Sequence, residues 1–195
     1  MVLASAITKR FDAEWAVGST EGGFASGESL PASGTIHIWL IKRSDTGVVD
    51  VMANNHATSA LAPSLPADYD YKRRIFSLRT NASNNIINGD QWGTGVRRLW
   101  RYDTPILDYN NSNPGASATT VALSVPGGIA VLANCNLFLA WVSTNPSLHN
   151  AYLSSLANTD LAPAADAAPL TTFTDAYRGS GVNLPGIITN TSSLS

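Results

Sequence analysis

The sequence predicts an all-β fold, and specifically an antiparallel β-sandwich of jelly-roll type with long loops rich in Pro, Gly and Asn. Charged residues make up only 13% of the chain, which does not suit surface helices because these normally carry many Lys and Glu. Short alternating runs recur between clusters of turn-forming residues. Because 44% of the residues are hydrophobic, we expect residues 1–195 to bury one core and form a single domain.

The first clear element is a hairpin. Residues 36–41 (IHIWLI) alternate well enough to form a strand, and residues 48–52 supply the returning strand. The Asp-Thr-Gly sequence at 45–47 is a turn signal between them. Two prolines follow in residues 61–66 (LAPSLP), and they exclude a central strand there because proline has no N–H group to donate.

The next predicted strand, residues 71–80, contains a basic run. Simple alternation divides its residues between two faces. One face carries Tyr71, Arg73, Ile75, Ser77 and Arg79, and the other carries Lys72, Arg74, Phe76 and Leu78. Neither face is purely polar, so we expect one arginine to be partly covered and paired. Asp68 and Asp70 precede this strand, and an intramolecular ion pair is their simplest role.

Later strands are predicted for residues 119–125, 129–132 and 137–141. A Pro-Gly-Gly turn at 126–128 separates the first two of these strands. Residues 158–181 have the composition of a long loop, and the chain ends in what resembles the start of another strand. Weak helical character is confined to residues 12–15 and 151–156.

The charge distribution is uneven although the formal net charge is only −2. Seven of the twelve Lys and Arg residues lie between Lys72 and Arg101. Nearby aspartates favour local neutralisation, so we interpret the cluster as an interface or an ion-pair network and expect no nucleic-acid partner. No apolar run approaches the ~20 residues needed to cross a bilayer, so membrane insertion is not expected.

Aromatic residues extend the candidate set. Trp39 and Trp141 lie in apolar strand sequences and are expected in the core, whereas Trp92 and Trp100 lie in surroundings rich in Gly and Arg. Tryptophan and arginine together are typical of interfaces. The candidate interface or binding residues are Lys72, Arg73, Arg74, Arg79, Trp92, Arg97, Arg98, Trp100, Arg101 and Tyr102.

No motif points to catalysis, a metal or a cofactor. His37, His56 and His149 show no ligand spacing, and we interpret each of them as structural. No G-x-S-x-G sequence or phosphate-binding loop is present. Cys135 lies in an apolar run without a neighbouring base, which predicts a buried, inert thiol.

Several stretches resemble structural proteins of tailed bacteriophages, of the tail and tail-fibre type. The central match is PSLPADYDYKRRI at residues 63–75, followed by INGDQW. Upstream, ITKRFDAEWAVGSTEGG and IHIWLIKRSDTGVVDV are similar to the same family. Downstream, the similarity continues through TTVALSVPGGIAVLA and AYLSSLANTDLAPAADAAPL, and so covers nearly the whole chain.

The resemblance implies a virion component built on a β-sandwich and assembled in the host cytoplasm. It implies other virion proteins as partners and a host surface glycan as a further ligand. It also implies a homo-oligomer, and we expect a trimer because phage fibres are commonly trimers. Phe76 stands where the family usually has glycine. The family's further N-terminal stretch and closing strands are not in this sequence, so we expect a fragment, or a fold completed by strands from elsewhere.

The leading hypothesis is therefore a non-enzymatic structural component of a tail fibre or tail tip, acting in assembly or host attachment. In it, the arginines of the basic strand are held by carboxylates or by a neighbouring subunit. A head decoration protein is one alternative. Another is a carbohydrate-binding β-sandwich that exposes Trp92, Trp100 or Tyr102 on one face. A glycan-degrading enzyme would need Asp103 and Asp108 to face each other in a cleft.

Overall fold

A computed structural model describes most of the chain. The described residues are 3, 5–59, 62–93, 99–111, 117–140, 147–151, 153–154, 170–174, 179–189 and 193–194. They form thirteen β-strands and one helical turn, α1 (His56–Ser59), so the predicted all-β class is confirmed for this part of the chain. None of its helical structure has the length or apolar character to cross a membrane.

Internal contacts separate two compact units. The first comprises Met1–Ile106 with Ser124–Gly128, and the second comprises Leu107–Leu123 with Ile129–Ser195. The expected single sandwich domain stays a prediction.

A five-stranded sheet forms the centre of the first unit. Its strands are β1 (Arg10–Glu14), β2 (Gly22–Phe24), β3 (Thr35–Arg43), β4 (Val49–Asn55) and β5 (Tyr69–Arg79). They lie in the order β1-β2-β4-β3-β5, and β2 runs parallel to both β1 and β4. The prediction of purely antiparallel strands is therefore wrong. After β2 the chain crosses β4 before β3 begins, instead of turning back in a hairpin.

The predicted hairpin is confirmed as β3 and β4. Its antiparallel register runs from Ile36 opposite Asn55 to Lys42 opposite Val49. Gly47 adopts a φ of 75° in the connecting turn, a conformation that glycine adopts without steric cost. By contrast, residues 12–15 were predicted to have weak helical character, but residues 12–14 belong to β1, where pairing with β2 overrides the local preference.

Strand β3 is buried on both faces, from Thr35 to Ile41. Two apolar clusters cover these faces. The first contains Phe24, Ile36, Ile38, Ala53 and Leu78, with partly buried neighbours that include Trp100. The second contains Ala25, Trp39, Ile41, Met52 and Tyr69, with Trp15 and Leu65 packed against it. The predicted core position of Trp39 is thus confirmed.

A β-bulge in β5 changes which basic residues share a face. Ile38 pairs with Phe76, whereas the adjacent Trp39 pairs with Arg74, so Ile75 is an extra residue. Directly paired residues project to the same side of a sheet. A second extra residue, Asp70, follows Tyr69, which pairs with Arg43. Between the two extra residues the even-numbered Lys72 and Arg74 therefore lie on the Trp39 side, and after Ile75 the odd-numbered residues do. The alternation predicted for this strand is wrong beyond Arg74: Lys72 and Arg74 share a face with Ser77 and Arg79.

A buried ion pair joins the N-terminal segment to this sheet. Lys9 Nζ lies 3.1 Å from Asp50 Oδ2, and each side chain is only 2% exposed. Lys9 also donates to the Ala16 carbonyl at 2.6 Å. Asp50 accepts from the N–H groups of Gly18 at 3.0 Å and Val51 at 2.7 Å. These contacts offset the cost of burying two charges.

The remaining strands form two-stranded sheets. In the first unit, β6 (Gly89–Trp92) pairs antiparallel with β7 (Leu99–Tyr102). In the second unit, β8 pairs with β13, β9 with β12, and β10 with β11, all antiparallel. Their bounds are β8 (Val121–Ala122), β9 (Val131–Ala140), β10 (Ser147–Ala151), β11 (Leu170–Thr174), β12 (Gly179–Thr189) and β13 (Ser193–Leu194).

Two predictions in the second unit need correction. The strand predicted at residues 119–125 is reduced to the two residues of β8. Residues 158–181, predicted as a loop, contain β11 and the start of β12. The β11 sequence LTTFT consists of strand-forming residues whose role appears only through pairing with β10. The weak helical character predicted for residues 151–156 is wrong for Ala151, which ends β10. Trp141 and residues 152, 155 and 156 lie outside the described part of the chain.

We predict that Asp50→Asn lowers the free energy of unfolding by about 3 kcal/mol, because it leaves the Lys9 ammonium buried without its counter-charge. Urea denaturation at pH 7 measures this loss. Asp12→Asn is the matched control, since Asp12 pairs with Arg10 at 2.9 Å but both side chains are more than half exposed (65% and 62%). The control should leave the stability almost unchanged; equal losses in the two variants would contradict the prediction.

Candidate interaction surface

The basic run lies on β5, where Lys72, Arg73 and Arg74 are all exposed. Lys72 Nζ donates to the Pro63 carbonyl at 2.8 Å. Partial burial of the Arg74 guanidinium lowers its pKa. Among the ion pairs of the described residues, none involves these three cations. The run therefore keeps its positive charge at the surface.

The aspartates expected to neutralise this run are bound elsewhere. Asp68 lies 3.4 Å from Arg43 Nη2. Asp70 accepts from the Ser44 N–H at 3.0 Å and from the Ser44 hydroxyl, and these hydrogen bonds lower the Asp70 pKa. Both aspartates thus stabilise the end of β3 and the turn after it. The predicted intramolecular ion pair is therefore found for Asp68, but its partner is Arg43 and not the basic run, and Asp70 forms hydrogen bonds to Ser44 instead.

Strand β5 is an outer strand of the five-stranded sheet. The sheet partner of Lys72 to Arg74 is β3, on the inner side. At the C-terminal end of β5, Thr80 forms a bridge with Ile86, and the Ile87 N–H donates to the Arg79 carbonyl at 2.9 Å. No described strand pairs with the outer side of β5 at the basic run.

The β6–β7 hairpin has two different faces. Its antiparallel register places Asp90 opposite Arg101 and Trp92 opposite Leu99, so these four residues share one face, which we call the outer face. The Trp92 side chain is 44% exposed and Leu99 is 59% exposed. The Arg101 guanidinium lies 4.7 Å from the Trp92 ring centroid and 3.8 Å from Asp90. A cation–π contact and a weak ion pair organise this surface.

The opposite face of the hairpin points inward. Trp100 packs against the first apolar cluster, and the Tyr102 hydroxyl donates to the Ser124 carbonyl at 2.5 Å. The two rings meet edge to face at 6.4 Å. Trp92, Trp100 and Tyr102 therefore do not form one aromatic platform, because strand alternation places Trp92 on the other side.

Two kinds of predicted site residue remain. Arg79 is partly buried, and its Nη1 donates to Thr35 Oγ1 at 3.5 Å. Arg97 and Arg98 lie outside the described residues. The described candidates thus divide into the exposed basic run on β5, the outer face of the hairpin, and residues with an internal role.

A histidine pair was missed by the sequence analysis. His37 is completely buried, its Nδ1 lies 2.8 Å from Ser77 Oγ, and its Nε2 lies 3.1 Å from Nδ1 of His56. The register of the predicted hairpin could have indicated this contact, since pairing of His37 with Asn54 places His56 just beyond the end of β4, close to His37. A Cβ atom at Gly128 would overlap the His56 ring, so glycine permits this loop to cover the pair.

Burial lowers the pKa of His37 to about 4, with smaller contributions from Arg74 and His56. Such a histidine is neutral at pH 7 and a weak base, which suits a structural hydrogen bond better than proton transfer. No cluster of three metal-ligating side chains occurs among the described residues. We therefore interpret the pair as a structural polar network in which His37 is buried and His56 is half-buried.

An open groove of about 320 Å³ lies beside β1. Its lining combines an aromatic ring, carboxylates and an amide: Phe11, Asp12, Ala13, Glu14, Glu28, Ser29, Leu30 and Asn84. Glu28 accepts from the Asn55 N–H at 2.5 Å, and burial raises the Glu28 pKa. Glu14 accepts from the Gly27 N–H at 2.7 Å. The carboxylates are held in place from within the fold. Nothing in the sequence analysis indicated this groove.

Comparisons with protein-family models, curated proteins and solved structures found no match to this chain.

Stability should decrease as the pH falls from 6.5 to 4. In this range the unfolded state binds a proton at His37 that the folded state excludes, because the folded pKa is about 4. The loss amounts to roughly 3 kcal/mol for a shift of this size. Urea denaturation between pH 7 and pH 4 measures it. His37→Gln should reduce the slope in this window, and an unchanged slope would contradict the assignment.

Proposed function

We propose that the chain is a non-enzymatic structural component of a tailed-bacteriophage particle, located in the tail fibre or tail tip and acting in assembly or host attachment. The proposal includes a jelly-roll-like sandwich and a homo-oligomer, for which we take a trimer. The all-β class and the resemblance of the sequence to tail proteins support it. The observation that carries its assembly role is the outer face of the β6–β7 hairpin.

The outer face has the composition of an interface centre. Trp92 and Leu99 form an exposed apolar cross-strand pair, and Arg101 lies over the Trp92 ring. Tryptophan and arginine are enriched among residues that dominate binding energy, because they bury a large area and still offer polar contacts. Covering the apolar pair with a second chain would remove it from water, which is favourable in proportion to the area covered.

The test of this proposal is the mass of the purified chain by size-exclusion chromatography with light scattering. We expect a trimer. Leu99→Ser should raise its dissociation constant roughly 30-fold, which corresponds to about 2 kcal/mol for an interface anchor. Leu107→Ser is the matched control, because Leu107 is also strongly exposed, at 74%, and lies in the second unit. A monodisperse monomer, or equal effects of the two substitutions, would contradict the assembly role.

A second candidate function is carbohydrate binding, which the groove beside β1 favours. Sugars bind to sites that combine an apolar ring with fixed hydrogen-bond acceptors and donors. Phe11 supplies the ring, Glu14 and Glu28 supply acceptors, and Asn84 supplies an amide. Carbohydrate binding is compatible with host attachment, since a tail component that binds a glycan of the host surface would attach the particle to the host.

A glycan array with the purified chain tests this second candidate. Glu28→Gln keeps an oxygen for the Asn55 N–H but removes the charge, so we expect at least a several-fold loss of glycan signal. Glu21→Gln is the control, because Glu21 is exposed and does not line the groove. Absence of any glycan signal, or equal losses in both variants, would exclude the groove as the binding site.

A further inference from the structure

We propose that the outer edge of β5 at residues 71–74 binds an extended acidic segment of a partner protein, which adds a strand to the five-stranded sheet. We call this part of the strand the basic edge. The inference rests on the proposed function only in taking the chain to act by assembly with other proteins. It concerns a surface separate in sequence from the outer face of the β6–β7 hairpin.

The backbone geometry supplies the first argument. Strand β5 is eleven residues long and is outermost in its sheet. In an antiparallel pair with β3, alternate residues of β5 direct their N–H and C=O groups away from β3. At the C-terminal end of β5 this outer side is occupied, because Ile86 forms a bridge with Thr80 and the Ile87 N–H donates to the Arg79 carbonyl. The basic edge lies upstream of that end, and no described strand pairs with its outer side.

The charges supply the second argument. Lys72 and Arg74 project to one side of the sheet and Arg73 to the other, as their pairing with Ile41, Trp39 and Leu40 requires. A strand added to the basic edge would therefore meet a cation on each face. Opposite charges directly across two strands are stabilising, and like charges are destabilising. Acidic residues at successive positions of the incoming strand would match both faces.

The same charges disfavour a second copy of this chain at the edge. An antiparallel pair of two β5 strands centred on Arg73 would place Arg73 opposite Arg73 and Lys72 opposite Arg74. A parallel pair in register would place each cation opposite its own copy. The positive charge therefore disfavours symmetric self-pairing here, which is also how natural sheets protect exposed edges from aggregation.

The aspartates of this region leave the basic edge available. Asp68 is bound to Arg43 and Asp70 to Ser44, as described above. The described residues thus contain no internal carboxylate that would compete with an acidic partner for the three cations. Charge complementarity and an open hydrogen-bonding edge occur at the same four residues, which is the combination that strand addition uses.

The test uses the full chain and a fluorescein-labelled ten-residue peptide in which four consecutive Glu residues are flanked by Thr, with fluorescence anisotropy as the measurement. We expect saturable binding that weakens at least tenfold in the Arg73→Ala, Arg74→Ala double variant, since two opposite-charge pairs are lost. The control is the Arg10→Ala variant, which removes an exposed cation from β1, away from both proposed surfaces. It should bind the peptide as the unmodified chain does.

A second peptide separates strand addition from simple charge attraction. It has the same sequence but carries N-methyl groups on alternate residues, which keeps the charges and blocks hydrogen bonding along one edge. We expect this peptide to bind at least tenfold more weakly. Hydrogen exchange should also show protection of amides within residues 71–74 when the unmethylated peptide is bound.

Equal binding of the two peptides, an equal effect of the Arg10→Ala control and the double variant, or no binding would each overturn the inference. If the double variant at Arg73 and Arg74 aggregates and the unmodified chain binds no peptide, the basic run serves only to protect the edge. These results are distinguishable from failure of the proposed function. A monomer that binds the peptide contradicts the trimer alone, and a trimer that does not bind it contradicts the acidic partner alone.

Discussion

Burial of β3 on both faces is the constraint on which the first unit depends. A strand at the surface of a protein needs one apolar face, but β3 places Ile36 and Ile38 in one cluster and Trp39 and Ile41 in the other. Each cluster therefore needs its own covering elements. The Lys9–Asp50 ion pair holds the N-terminal segment near the second cluster, where Trp15 packs. Removing water from both faces fixes the position of the neighbouring strands as well.

The bulge at Ile75 separates two parts of β5: the exposed basic run before it and the residues that pack against the first cluster after it. Strand β5 presents Phe76 and Leu78 to the first cluster and begins with Tyr69 in the second cluster. Two extra residues, Asp70 and Ile75, exchange the sides of the segment between them. Lys72 and Arg74 therefore project to the side of Trp39, whereas strict alternation would place them on the side of Phe76 and Leu78.

The buried polar side chain of His37 also depends on neighbouring elements that shield it from water. His37 lies completely buried between Ser77 and His56, and its ring remains neutral because burial lowers its pKa. The loop at Gly128 closes over His56, where a side chain would not fit. A buried histidine with hydrogen bonds to both ring nitrogens gives the sheet a specific register and ties the first unit's stability to pH. The exposed residues of β5 and of the β6–β7 hairpin are held in position by these buried contacts, through Ser77 of β5 and Trp100 of the hairpin.

The sequence alone determined the all-β class, the β3–β4 hairpin with its turn at Gly47, and a strand that carries the basic run, because alternation and turn residues are local signals. Only the tertiary structure decided the parallel pairing of β2, the shift of faces at Ile75, and the contact between His37 and His56. It also separated Trp92 from Trp100 and Tyr102, and bound Asp68 and Asp70 away from the basic run. Each of these depends on which strands lie side by side, and strand pairing joins residues distant in sequence through register, burial and hydrogen bonding, which no local pattern specifies.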